Sequence, residues 1–179
     1  MGYLAVVVAV LLCGGAFAAF GCCDSEADTV FDVGEITVAV PNGWKAFGSI
    51  DVHAEENGAV SKSSVIVCKG GTYDTDIFTK PYVKLDYRGK DIYLAPPLRV
   101  FYDNIVDLAP LELGGHTWEC FSFDSLGYPM VMLYVDEGDD QYLVTISCGL
   151  GEDAISLNDA EVKRIIASLT VKGLNGGGV

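Results

Sequence analysis

Two histidines, six cysteines and a large excess of carboxylates are the residues of this chain able to do chemistry. The histidines are His53 and His116. His116 and Cys120 lie four apart in a stretch that alternates like a β-strand. They share a face but stand about 13 Å apart at roughly 3.3 Å per residue. That is too far for a nucleophile and its base. The spacings G-x-S-x-G, S-x-x-K and H-E-x-x-H are absent. No catalytic residue is assigned on these grounds.

The densest carboxylate run is Asp136-Glu137-Gly138-Asp139-Asp140. A hard cation needs several oxygen ligands converging on one point. This run is short and lacks the EF-hand spacing. It reads as a hairpin turn, which Asp and Gly favour. Asp74-Thr75-Asp76 is weaker still. No metal and no cofactor are expected. The cysteines are Cys13, Cys22, Cys23, Cys68, Cys120 and Cys148. No C-x-x-C pair occurs, which argues against zinc. Cys68, Cys120 and Cys148 each lie in an apolar run and are expected as buried thiols, with at most one disulfide among them.

Tyr and Trp are favoured in recognition because each joins an apolar body to a polar tip. Tyr93, Tyr102 and Tyr128 flank predicted loops and are the expected ligand-binding residues. The formal net charge is −14. Phosphate binding relies on clustered Lys and Arg, so a nucleic-acid partner is excluded.

Residues 1–23 carry no charged side chain. Val6, Val7, Val8, Val10, Leu11 and Leu12 form an apolar core, followed by small residues from Cys13 to Gly21. Three readings stand. Ala16-Phe17-Ala18 matches a secretory cleavage site. Ala19-Phe20-Gly21-Cys22 resembles a lipobox, in which Cys22 is lipidated and becomes the mature N-terminus. An uncleaved helix over 2–23 would run about 33 Å at roughly 1.5 Å per residue, enough to span a bilayer core. All three place the rest of the chain outside the cytoplasm, and two leave it anchored to the cell membrane. The expected organisation is a leader or anchor (1–23), an acidic tether (24–33), one domain (34–173) and a flexible Gly-rich tail (174–179).

The domain reads as mostly strands. Ile36, Val38 and Val40 alternate, and Pro41-Asn42-Gly43 stops that strand before Trp44. Residues 48–63 read as a loop and Ser64–Cys68 as an interior strand. Val83, Leu85 and Tyr87 point one way from a strand over 82–87. Pro96-Pro97 opens a predicted helix, with Leu98, Phe101, Tyr102 and Ile105 on one stripe. A four-strand meander follows from about Leu108 to Cys148, with Gly114-Gly115 as a two-residue hairpin. Asn158 and Glu161 frame a helix start. Val162, Ile165, Ile166 and Leu169 form its buried stripe, and Thr170-Val171 adds an edge strand.

Ile36-Thr37-Val38-Ala39-Val40-Pro41-Asn42-Gly43-Trp44 and Ile165-Ile166-Ala167-Ser168-Leu169-Thr170 carry a family resemblance. Together with the element order they resemble the PsbP-like proteins, which include the photosystem extrinsic protein PsbP, Mog and the DcrB-type lipoproteins. The chain is also similar to small lipoproteins of anaerobic Gram-positive bacteria. The resemblance implies an α+β fold, an antiparallel sheet packed with helices as an α/β/α sandwich. It implies no functional residue, because one fold hosts several functions. The expected role is a membrane-tethered lipoprotein module that binds a protein or cell-surface partner, or supports an assembly, without catalysis. The alternative is a cell-envelope hydrolase whose site is assembled only in three dimensions, with His116 or His53 near distant carboxylates.

Overall fold

A computed structural model describes residues 28–50, 58–89, 97 and 99–173. The first half of the domain contributes β1 (Thr29–Asp32), β2 (Ile36–Val40), β3 (Trp44–Ile50), β4 (Val60–Lys69) and β5 (Tyr82–Arg88). Then follow β6 (Asp103–Asp107), β7 (Leu111–Leu113), β8 (His116–Ser125), β9 (Tyr128–Asp136) and β10 (Gln141–Ser147). The chain closes with α1 (Ala160–Ala167) and β11 (Thr170–Val171). Short 3-10 turns occupy Asp74–Phe78 and Arg99–Phe101.

The large sheet has eight strands in the order β3-β4-β5-β10-β9-β8-β6, with β7 also on β8. All its pairings are antiparallel. The cause is period-two patterning. Val65 and Val67, Val83 and Leu85, Val144 and Ile146, and Val131 and Leu133 all point to one face. A three-stranded sheet, β1-β2-β11, and α1 cover that face. Ile36, Val38 and Val40 of β2 meet Val162, Ile165 and Ile166 of α1 in the same core, which also holds the fully buried Trp118. Seams are hydrogen-bonded: the Ser168 hydroxyl accepts from the Ala39 N–H at 2.8 Å, and the Trp44 indole N–H donates to Glu161 at 3.1 Å.

Three expectations are corrected. The α/β/α sandwich is overturned: among the described residues the only α-helix is α1, of eight residues, and the molecule is β-rich. The second layer that helices would supply is built instead by β1, β2 and β11. The helix over 96–105 is also overturned. Arg99–Phe101 makes one 3-10 turn, and Asp103–Asp107 pairs with β8 across a bulge, with Asn104 at φ 51°. A bulge flips the strand's face, so an apolar spacing that mimics a helix serves a bent strand. Tyr102 and Ile105 then rest on a second cluster of Phe121, Phe123 and Met132, on the sheet's opposite face. Finally, residues 29–32, read as tether, form β1 against β2. Leader residues 1–23, including Cys22, and the tail 174–179 lie outside the described residues. Among the described residues no helix is long and apolar enough to cross a membrane.

Candidate functional site

The face of the large sheet opposite the core is where unclaimed apolar surface gathers. Asp76 shapes it. Its carboxylate accepts the N–H groups of Thr72 at 2.7 Å and Tyr73 at 3.1 Å, and Lys80 reaches it at 3.3 Å. The two backbone N–H donors, ahead of Lys80, hold its carboxyl below the usual carboxylate range. Lys80 also donates to the Gly70 carbonyl at 2.6 Å. The chain is thereby curled so that Ile77 and Phe78 stand over the sheet as a ridge, with Phe78 77% exposed.

Clefts lie on both sides of this ridge. One, of about 340 Å³, runs between it and β3 and is lined by Phe47, Ile50, Ile66, Ile77 and Phe78. Gly48 lines the cleft too, and its missing Cβ leaves room for a Val60 methyl, which would otherwise lie only 2.3 Å away. The ladder shifts register between Gly48 and Ile50 at the same place. The other cleft, of about 190 Å³, is bordered by Tyr82, Leu126, Tyr128, Met130 and Ser147. Leu126 sits at the β8–β9 tip with φ 52° and is 98% exposed. A branched apolar residue in the left-handed region, with nothing covering it, is unusual on both counts.

Of the tyrosines singled out from sequence, Tyr128 borders the smaller cleft. The Tyr102 ring lies 4.1 Å from that of Phe123 and is packed on the second apolar cluster. Tyr93 lies outside the described residues, as does His53. Sequence reasoning passed over Phe47 at the end of an extended segment, Ile50 and Leu126 in stretches read as loops, and Ile77 and Phe78 beside the Asp74-Thr75-Asp76 carboxylates. The available signal was apolar side chains inside those polar loops.

Polar groups elsewhere are matched to one another. The Asp86 carboxylate, 3% exposed, accepts the Ser64 hydroxyl at 2.6 Å and Lys84 at 3.0 Å. Ser64 is buried and its carboxylate partner is paired with Lys84, so this trio presents no accessible nucleophile. His116 Nδ1 lies 2.8 Å from Glu137 Oε1, with the rings of Tyr142 and Trp118 beside it at 4.5 Å and 5.7 Å. The acidic turn is held together from within. Asp136 accepts from Gly138 N–H and Gln141, which lower its carboxyl, and Asp140 accepts the Tyr87 hydroxyl at 2.6 Å. Burial pushes the Tyr142 hydroxyl up to about 12. Among the described residues no group of three or more His, Cys, Asp or Glu could hold a metal ion. Cys68, Cys120 and Cys148 are all free thiols, raised by burial.

No family model matches the chain, and no curated protein matches it. The PsbP-like resemblance therefore gains no support from these comparisons. Solved structures do align with it at low identity. A protein from Bacteroides thetaiotaomicron aligns over 84% of this chain and 50% of its own, with 8% identity and a TM-score of 0.45. The chain thus spans about half the length of that protein. LpqN of Mycobacterium tuberculosis, a protein involved in cell envelope biogenesis, aligns over 80% of this chain and 90% of its own, with 13% identity and a TM-score of 0.43.

Proposed function

We propose that this is a non-catalytic module, tethered to the membrane outside the cytoplasm, that takes an extended segment of a partner protein along β3. The observation that carries the reading is the apolar cleft of about 340 Å³ beside that strand. No other strand among the described residues joins the outer edge of β3. An edge strand offers unpaired N–H and C=O groups, and an adjoining cleft takes alternate side chains of an added strand. Ile50, exposed at the cleft wall, and the Phe47 ring, with Lys45 5.8 Å from its centre, would set specificity. The charge of −14 favours a basic partner through long-range steering. Tethering rests on the uncharged residues 1–23 and the lipobox-like ending at Cys22.

The hydrolase reading draws on one observation, the His116–Glu137 pair, since a carboxylate on Nδ1 is how a general base is oriented. Against it, the ring lies among Tyr142 and Trp118, with no hydroxyl or thiol partner among the described residues. Crosslinking pull-down from intact cells with the full chain as bait separates the two. The expected result is a reproducible partner that Ile50→Asp abolishes and His116→Ala leaves in place. A partner indifferent to Ile50→Asp rejects the β3 site. Turnover in an unbiased hydrolase screen, lost in His116→Ala, replaces the binding reading with catalysis.

A further inference from the structure

We infer that the end of the large sheet from which the N-terminal segment departs is itself a membrane-contacting surface, inserting Phe78, Leu126, Tyr128 and Leu150 into the lipid interface. The inference goes beyond partner binding and rests only on the reading of residues 1–23 as membrane-bound.

Strand register defines the end in question. Cys68, Tyr82, Ser147, Met130 and Phe123 lie side by side across β4, β5, β10, β9 and β8. Beyond that row are the 3-10 turn, the β8–β9 tip and the loop after β10. The N-terminus reaches the same end. Thr29 pairs with Val40, the last residue of β2. The turn that follows is pinned there by the Gly70 N–H donating to the Gly43 carbonyl at 2.7 Å. Asp28 is held beside Thr29 by Arg164 at 2.9 Å. Only residues 24–27 separate this point from the uncharged segment 1–23. Four residues span about 14 Å at most, at roughly 3.5 Å each. An anchored segment therefore holds this end close to the bilayer.

That end has the side chains a bilayer interface would take. Phe78, Leu126, Tyr128 and Leu150 are all exposed. Phe78, Leu126 and Tyr128 rim one cleft, and Leu150 lies with Lys69 and Lys80 around the next depression. Tyr suits the interface because its ring is amphipathic, and Lys suits the headgroup layer because its stem is apolar. Leu126 is the most telling. Its left-handed backbone and full exposure both cost free energy in water, and transfer into lipid removes the second cost.

The test uses the full chain reconstituted in phosphatidylcholine vesicles, with either ordinary or brominated acyl chains. Tryptophan is placed at the proposed contact (Leu126→Trp, and separately Phe78→Trp) or at the opposite end of the sheet, in the turn between β9 and β10 (Asp139→Trp). Each position is exposed, and thermal unfolding of each variant checks that the fold is kept. The expected result is loss of tryptophan emission to the bromines in Leu126→Trp and Phe78→Trp beyond that of the unsubstituted chain, with no added loss in Asp139→Trp. Vesicle flotation of all variants with equal quenching overturns the inference while leaving the tether intact. Failure of the unsubstituted chain to float overturns the tether and the inference with it.

Discussion

Asp76 does the work of a helix cap for a segment too short to be a helix. Its lowered carboxyl gives the interaction a definite pH signature. A group depressed in the folded state contributes stability that is present above its unfolded value and is lost as pH falls through the folded one. Asp76→Asn should therefore lower the thermal midpoint at neutral pH. The gap to the parent chain should close as pH falls from about 4, the ordinary carboxylate value, to below the depressed one. A gap that is constant with pH would mean the carboxylate's charge is irrelevant. At this scale the sequence was only partly legible. Asp74-Thr75-Asp76 stood out as carboxylates, but nothing in the string showed that one of them would cap Thr72 and Tyr73 and so raise Phe78.

Strands and hairpins were the most legible features, since they follow from local patterning. The ends of β2, the Gly114-Gly115 connection, the alternation of Val83, Leu85 and Tyr87, and the stripe of α1 all stand where the pattern puts them. The N-cap of α1 is Asp159, one residue after the expected Asn158. What local pattern cannot show is a long-range pairing. β6 is the example: Tyr102 and Ile105 read as a helix face until β8 is known to lie alongside. The Gly114-Gly115 hairpin makes a second such contact, because a Cβ on Gly114 would meet the Ala167 backbone of α1 at 3.0 Å, while one on Gly115 would meet nothing within 4 Å. Both residues have positive φ. Gly115→Ala should cost about 1–2 kcal/mol from backbone conformation alone. Gly114→Ala should cost about 1 kcal/mol or more beyond that from crowding. Urea unfolding of both variants compares them, and equal costs would show that hairpin and helix do not touch.

At the scale of the molecule, one sheet face is sealed and the other is partly bare. Apolar counts suggested a core, and the error lay in what covers it. Helical periodicity was read over both 98–105 and 162–169, and the resemblance made those two helices the outer layers of a sandwich. The cover is mostly strand, assembled from segments at opposite ends of the chain. Burial also governs the thiols, with Cys120 and Cys148 at the core and Cys68 on the opposite face. Cys68 and Cys120 are buried and Cys148 is half-buried, with all three raised by that burial. Native-state alkylation should modify Cys148 first. Cys68 and Cys120 should react only at the rate of global unfolding. Fast reaction of either would show that the sheet opens locally.

The position of β2 between β1 and β11 has a consequence for how the molecule comes into being. Ile36 pairs with Val171, and Thr37 with both Asp32 and Thr170. The contact nearest the start of the domain needs residues from its very end. Loop closure over such a separation is slow, and nothing local rewards it earlier. A growing chain can zip the meander from β7 to β10 as it emerges, but the edge of β2 at Ile36 and Thr37 stays unpaired until residue 171 exists. The domain thus stays an open sandwich until β11 is made, and that strand is the latch that shuts it.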